Sequence, residues 1–471
     1  MTDIVLINPP IKLSQWELRL GSKLPPMGLA SIAAYLREKG VSVKIVDACN
    51  LGLDINAVLE RIAENSPPYV GITASTSMIV FASELADAIK KKFPHILIIV
   101  GGPHVSALPE ETIERFGSFD IGVYGEGEIT LVEIIKKRKI DSSIKGVIFR
   151  ENGRIVKTPP REYLQNLDDL PFPAYDLLPD FPDFYVPTPN NYLVLPVAPI
   201  ISSRGCPYNC TFCTQGVFGR KLRSCSVDYL ISHLKYLREK YNVREICFYD
   251  DIFLLNKEKL YNFIDQINKN KIDIVWSCEG RVDQFDDRMF FDMKKAGCWQ
   301  ISFGIESGSQ VILDYFNKRI NRDQIRIALN SVKKAGITSR AYLIIGAPPE
   351  TAETLKETAD LMLSVPLDEI HISYFTPLPG SAAYNEIFGS NRVRDFKAIN
   401  QYLVSYVPPG LSNQALTDFM NSLYKRFYLH PRTLARYFLM LFNRHKTVKL
   451  IRAFFEFMRL TIIGGKEDVI Q

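Results

Sequence analysis

Cys206, Cys210 and Cys213 fall in the run Gly205-Cys206-Pro207-Tyr208-Asn209-Cys210-Thr211-Phe212-Cys213. Three thiolates this close reach one inorganic centre only if the chain loops around it, and Gly205 and Pro207 supply the bend and the stiffness. Three is one ligand short of a 4Fe-4S cluster's irons, so a cluster held there keeps one iron open to a small molecule, and an open iron is a catalytic one. The competing reading is zinc, which takes four protein ligands, commonly as two separated pairs. Cys225 is available as a fourth, but no second pair surrounds it. Cys49, Cys247, Cys278 and Cys298 stand singly among apolar residues, where free cysteine is usually a small buried hydrophobe.

The pattern Cys-x3-Cys-x2-Cys, with aromatic Phe212 before its last cysteine, resembles the signature of the radical S-adenosylmethionine family. The resemblance implies that the amino and carboxylate groups of S-adenosylmethionine chelate the open iron. An electron from the cluster then cleaves the sulfonium, and the 5'-deoxyadenosyl radical takes hydrogen from an unactivated carbon. A reducing donor such as a flavodoxin or ferredoxin is the implied partner.

The elements that must position this loop follow from hydrophobic periodicity. Short apolar runs at Ile4–Ile7, Val41–Val46, Tyr69–Thr73, Ile96–Val100 and Ile121–Val123 alternate with helical spacing such as Leu29, Ile32, Ala33 and Leu36. That is the grammar of an α/β doubly wound parallel sheet, which binds ligands beyond the carboxyl ends of its strands. Those ends carry Pro10, Ser75 and Thr76, Gly101 and Gly102 with His104, and Gly125 and Glu126, a rim of small and polar residues. Each alone reads as an ordinary turn. In this order ahead of the cysteines, they resemble the Rossmann-like cobalamin-binding domain of cobalamin-dependent radical S-adenosylmethionine enzymes, over roughly residues 3 to 140. The stretch Asn8 to Met27 has no histidine, so the resemblance implies cobalamin with no histidine ligand below cobalt. His104 is expected against the corrin or its tail.

Residues 146–157 read as a hairpin turning at Glu151-Asn152-Gly153, and a proline-rich stretch to 195 reads as an extended linker. From Ile200 the alternation resumes, and further strands follow at Ile246–Tyr249, Ile274–Ser277, Gln300–Phe303, Ala341–Ile345 and Glu369–Ser373. Six parallel strands make a partial (β/α)6 TIM barrel with its site at the carboxyl strand ends. There stand Asp250 and Asp251, Glu279 and Arg281, Glu306 and Ser307, and Gly346, with Arg340 inside a strand. Carboxylates suit the ammonium and ribose hydroxyls of S-adenosylmethionine, and arginine suits its carboxylate. Glu279 and Glu306 are therefore the acidic candidates and Arg281 or Arg340 the basic ones, while the family resemblance implies that adenine lies against the backbone of the Gly346 turn. Ordinary barrel ion pairs are the alternative for each. Asp250 and Asp251 read as a catalytic carboxylate pair or as a cap for the following helix.

The expected divisions are 1–145 (cobalamin-binding), 146–195 (hairpin and linker), 196–400 (barrel) and 401–471 (helical and basic). Formal net charge over 471 residues is +5, and ten Lys or Arg against three acids lie in residues 421 to 471. A nucleic-acid enzyme would spread its basic residues across the catalytic domain, so a nucleic-acid substrate is not expected. The eight unpaired cysteines and the absence of a signal peptide after Met1 point to a reducing cytoplasm. The stretch Arg432 to Ile463 mixes arginines with phenylalanines, which suits a helical cap on the barrel or peripheral contact with an anionic membrane. The function these readings imply is methyl transfer to an unactivated carbon of a small-molecule or lipid-like substrate. Ring formation, as in anaerobic magnesium-protoporphyrin monomethyl ester cyclases, is the near alternative, and a non-catalytic cobalamin- or zinc-binding module the distant one.

Overall fold

The computed structural model describes residues 2–11, 22–286, 288–389, 391, 393 and 395–440. The first sheet contains β1 (Ile4–Asn8), β2 (Val43–Asp47), β3 (Tyr69–Thr73), β4 (Leu97–Gly101), β5 (Ile121–Val123), β6 (Val147–Glu151) and β7 (Arg154–Lys157), in the order β2-β1-β3-β4-β5-β6-β7. The first five are parallel, and β6 and β7 join antiparallel at the β5 edge. The hairpin expected in the linker therefore completes this sheet, which runs past residue 145.

Alternation along β1 shows why helices cover both faces. Ile4 and Leu6 pack with the helices Met27–Glu38 and Glu128–Lys137, whereas Val5 and Ile7 pack with Ile55–Asn65 and Ile79–Lys92. A strand buried on both sides reads as a continuous apolar run, as IVLI does.

The second sheet is all parallel, in the order β15-β14-β13-β12-β11-β8, with β8 (Val197–Ile200), β11 (Glu245–Phe248), β12 (Val275–Gly280), β13 (Cys298–Glu306), β14 (Thr338–Ile345) and β15 (Glu369–Tyr374). Between β8 and β11, β9 (Ser203–Arg204) and β10 (Arg223–Ser224) form a short antiparallel ribbon. Six strands leave the barrel open between β8 and β15. The β15 edge is blunted by helix Asn413–Tyr428, whose Tyr424 hydroxyl accepts from Ile372 N at 2.9 Å and whose Tyr428 hydroxyl donates to Ile370 O at 3.1 Å.

The proline-rich segment holds only single 3-10 turns, yet it is no free spacer. Tyr175, Tyr185 and Tyr192 are buried, and Asn190 O accepts from Arg340 Nη2 at 2.8 Å while Glu245 Oε2 accepts from Leu193 N and Val194 N at 2.6 and 2.7 Å. The segment thus seals the floor of the barrel. Its aromatic residues were the available signal, because burial of three tyrosines offsets much ordering entropy.

Residues after the barrel turn back to the first sheet, and Val393, Phe396 and Ile399 enter the core beside Ile79 and Val105. The basic stretch is described only through helix Pro431–Met440, where Arg432 Nη2 donates to Val365 O at 2.8 Å, as a cap on the barrel would. The rest of the expected helix lies outside the described residues. No helix among the described residues is long and apolar enough to cross a membrane.

Candidate active site

The β9/β10 ribbon is the neck of a loop, residues 205–222, that carries the three cysteines. Gly205 turns into it at φ +86, where a Cβ would stand 2.5 Å from Lys221 O. Inside the loop, Gln215 Nε2 donates to Cys206 O and Tyr208 O at 2.8 and 2.9 Å, and Cys213 N donates to Cys210 O at 3.1 Å. Outside it, Thr211 N donates to Phe316 O at 3.1 Å, and the Arg281 guanidinium lies 3.7 Å from the centre of the Tyr208 ring. Nine residues of loop are thereby fixed without any regular element.

Burial raises the Cys206 thiol and pushes Cys213 up to about 12, and the neighbouring cysteines push in the same direction. Charges that repel in this way are accommodated by a cation, so the donor set fits an iron centre. Among the described residues, no three metal-ligating side chains already stand gathered at one point. The three thiols share one anchored loop, where a bound centre would gather them. Cys225 is not with them, since its buried Sγ donates to Ser202 O at 3.2 Å.

The acidic candidates separate sharply. Asp250 is buried and accepts from Ser202 N and Ser202 Oγ, each at 2.5 Å, and from Ser203 N at 3.1 Å. It ties β11 to the strand leading into the cysteine loop, which removes it from any carboxylate pair. Asp251 is exposed by area, and burial by surrounding chain raises its carboxyl while the Gly205 backbone lowers it. Glu306, with φ 67, accepts from Lys318 Nζ at 2.6 Å where a register shift at Gly304 turns the end of β13. Ser307 is buried against Thr358 Oγ1 at 2.9 Å and serves packing, which corrects its place among cofactor contacts.

The basic candidates are both engaged. Arg281 spans Asp283 through Nε at 2.9 Å and Nη2 at 3.0 Å and donates to Lys318 O, so it braces Tyr208 of the cysteine loop. Arg340 pairs with Glu369 at 2.6 Å near the amino end of β14. Its guanidinium is spent on Glu369 and on Asn190 O at the barrel floor, which corrects its expected pairing with a cofactor carboxylate. Gly346, at φ +89, donates its N–H to Glu350 Oε2 at 3.1 Å, and burial raises Glu350 to about 7.

Tyr249 keeps 38% of its surface accessible, although Cys247, Glu279, Arg340 and Tyr342 all lie close enough to act on its hydroxyl. Accessible area so deep in the fold faces a recess within the barrel. Tyr342 donates to Glu279 Oε1 at 3.4 Å, and the His371 ring stands between Tyr342 and Tyr402 at 5.7 and 6.3 Å. Burial lifts the Glu279 carboxyl to about 7 and holds His371 low. Tyr342 and His371 are cross-strand partners, so strand parity in the sequence was the signal for this group, once the closure of the barrel is known.

At the first sheet, Pro10, Ser75, Gly101, Gly102 and Gly125 lie at the carboxyl ends of β1, β3, β4 and β5, which form one edge of the sheet. Ser106 Oγ donates to Gly102 O at 2.9 Å and accepts from Gly125 N at 3.1 Å, and a Cβ on Gly125 would meet nothing within 4 Å. Bare backbone here fits close approach by a large planar group such as a corrin. Thr76 is turned inward, its Oγ1 3.2 Å from His104 Nδ1. His104 is fully buried, with Phe396 edge-on at 4.6 Å and no partner for Nε2 among the described residues; burial takes it down to about 4. The ring is covered by the returning segment, which corrects its assignment as a rim contact. Glu126 is also turned away from the rim, to Arg204 at 2.9 Å and Arg223 at 3.0 Å. Nothing in the spacing of the sequence couples Glu126 to those arginines.

Residues 18–135 match the sequence model of the B12 binding domain and residues 200–362 that of the Radical SAM superfamily. The chain is 32% identical over 444 residues to an uncharacterised methyltransferase of Pyrococcus horikoshii, covering 92% of this chain and 94% of that one. It is 28% identical over 416 residues to an anaerobic magnesium-protoporphyrin IX monomethyl ester cyclase of Rubrivivax gelatinosus, covering 86% and 74%. Its fold matches that of the radical S-adenosylmethionine methyltransferase TsrM from Kitasatospora setae, solved with cobalamin and a [4Fe-4S] cluster bound, with a TM-score of 0.72 at 16% identity over 92% of this chain and 90% of that one. The chain therefore belongs to the Radical SAM superfamily, among the members that join a B12 binding domain to the radical SAM domain.

Proposed function

We propose that the protein is a cobalamin-dependent radical S-adenosylmethionine methyltransferase acting on an unactivated carbon of a small molecule. The observation that carries this reading is the contact between the cysteine loop and the rim of the first sheet. A Cβ on Gly216 would stand 3.3 Å from Ser106, and one on Gly380 would stand 2.8 Å from Thr214 Oγ1 and 3.2 Å from Ala107 Cβ. Transfer between two bound groups needs this proximity.

Cys206, Cys210 and Cys213 would hold the 4Fe-4S cluster, and Pro10, Ser75, Gly101, Gly102 and Gly125 the corrin. Asp251 is the carboxylate suited to the ammonium of S-adenosylmethionine, Glu306 to its ribose hydroxyls, and the Gly346 turn to its adenine. When bound, these groups supply a radical that removes hydrogen from carbon and a methyl group that replaces it. The chain's own residues orient and enclose. Glu279, near 7, and Tyr342 offer the recess both a donor and an acceptor, whereas Ile201, Tyr402 and Leu403 are exposed apolar residues beside the edge strands β8 and β15. A substrate with an apolar body and a hydroxyl or amine at its inner end suits both. Reduction calls for a one-electron donor of the flavodoxin or ferredoxin kind.

Anaerobic protein, reductant and methyl-labelled S-adenosylmethionine, incubated with small-molecule and lipid extracts, test the reading. Release of 5'-deoxyadenosine with label in one product is the expected result, and purified protein that takes up neither iron nor cobalamin overturns it. The cyclase relative favours a second reading, ring formation; an unlabelled product lighter by hydrogens would select it.

A further inference from the structure

Arg204 and Arg223 are directly paired across the β9/β10 ribbon, at the neck of the cysteine loop. Like charges opposed in this way repel, and here both side chains are buried. Glu126 resolves the conflict. Its Oε1 accepts from Arg204 Nη1 at 2.9 Å and from Arg223 Nη1 at 3.0 Å, and its Oε2 accepts from Leu164 N at 2.8 Å. Glu128 Oε1 takes the other arm of Arg204 at 2.6 Å. Glu126 lies in the turn after β5, next to rim residue Gly125, and Glu128 opens the helix that follows, so one buried ion cluster ties the neck of the cysteine loop to the edge of the first sheet.

We propose that Glu126 and Glu128 are positioning residues: they lock the paired arginines Arg204 and Arg223 and so set where the cysteine loop stands relative to the corrin edge. The role toward the corrin rests on the function proposed above, whereas the lock itself does not. With Glu126 neutralised, two buried guanidiniums face each other across a two-residue ribbon, and the neck opens while the central strands of both sheets keep their pairing. Gln in place of Glu126 keeps the shape and removes the charge.

Hydrogen exchange on the full chain, before any cofactor is loaded, reads the lock directly. Glu126→Gln is expected to speed exchange of the amides of residues 203–224 by at least about tenfold, with β1, β3 and β13 unchanged. The double variant Glu126→Gln/Arg223→Gln, which restores charge balance, is expected to return most of that protection. In protein loaded with cluster and cobalamin, the magnetic interaction between the reduced cluster and cob(II)alamin should change in Glu126→Gln and return in the double variant. Unchanged exchange in 203–224, loosening spread evenly over both sheets, or a double variant as loose as the single one would each overturn the lock. If Glu126→Gln does not fold, Glu128→Gln, which keeps the bridge between the arginines, is read by the same regional pattern and the same criteria. A wild type that binds no cobalamin would instead remove the corrin reading, and the exchange result would stand apart from it.

Discussion

Lys318 donates to Glu306 Oε1 at 2.6 Å, with only 8% of each side chain accessible. The pair sits where β13 breaks register with β14 and where Glu306 takes a left-handed backbone conformation. A side chain from outside the strand thus fixes the carboxylate that stands at the end of the barrel's longest strand. Truncating the lysine leaves a buried carboxylate uncompensated. Lys318→Met is expected to lower the unfolding free energy by about 3 to 5 kcal/mol at neutral pH, measured by denaturant titration. A loss below about 1 kcal/mol would mean that the pair behaves as a surface ion pair.

Cys225 and Cys213 are separated by their surroundings, one bonded to Ser202 O on the barrel side and one in the anchored loop. Cys225→Ser is expected to retain wild-type iron after anaerobic reconstitution, whereas Cys213→Ser loses most of it. Equal loss in both would bring back a four-ligand site.

Gly205 leaves no room for a side chain, with Lys221 O, Gly219 O and Phe218 O within 2.5, 3.0 and 3.1 Å of a Cβ. Gly205→Ala adds strain from positive φ to that clash. Reduced iron uptake with near-normal circular dichroism is the expected outcome, and full iron uptake would show that the neck yields cheaply.

His233 is stacked on Phe172 at 4.4 Å, with Nε2 3.0 Å from the Tyr175 hydroxyl, and burial takes its imidazole down to about 3. A histidine with a depressed folded value contributes its full stability above its unfolded value of 6.5 and loses it as pH falls toward 3. Because Glu279 and Glu350 titrate in the opposite sense over part of this range, the difference between wild type and His233→Gln is the useful quantity. That difference is expected to shrink by about 1.4 kcal/mol per pH unit below 6.5, read from denaturant midpoints at pH 7, 6 and 5. A difference constant across those three values would show that the ring takes up its proton in the fold as readily as in the unfolded chain.

The central part of the fold was legible because its signals are local. Strand β1 is a run of four apolar residues buried on both faces, and the helices beside it carry their apolar residues at helical spacing. The cysteine loop announced itself in the same way, through residue types and spacing within one short segment. The strand ends of the barrel could be listed in order, since parallel strands place their carboxyl ends on one side.

The sequence by itself therefore determined the two α/β units, the cysteine triad and the set of strand-end residues from which a site is drawn. The tertiary structure alone decided which of those residues face a ligand. Asp250 and Asp251 are neighbours in the chain, yet one is consumed by Ser202 and Ser203 and the other is left accessible. Arg340 is drawn to the floor by Glu369, His104 is covered by Phe396, and Glu126 is taken by two arginines about a hundred residues away in the chain or less. A buried charge must find its counter-charge wherever folding brings one, and the distance along the chain between such partners carries no periodicity for a sequence to display.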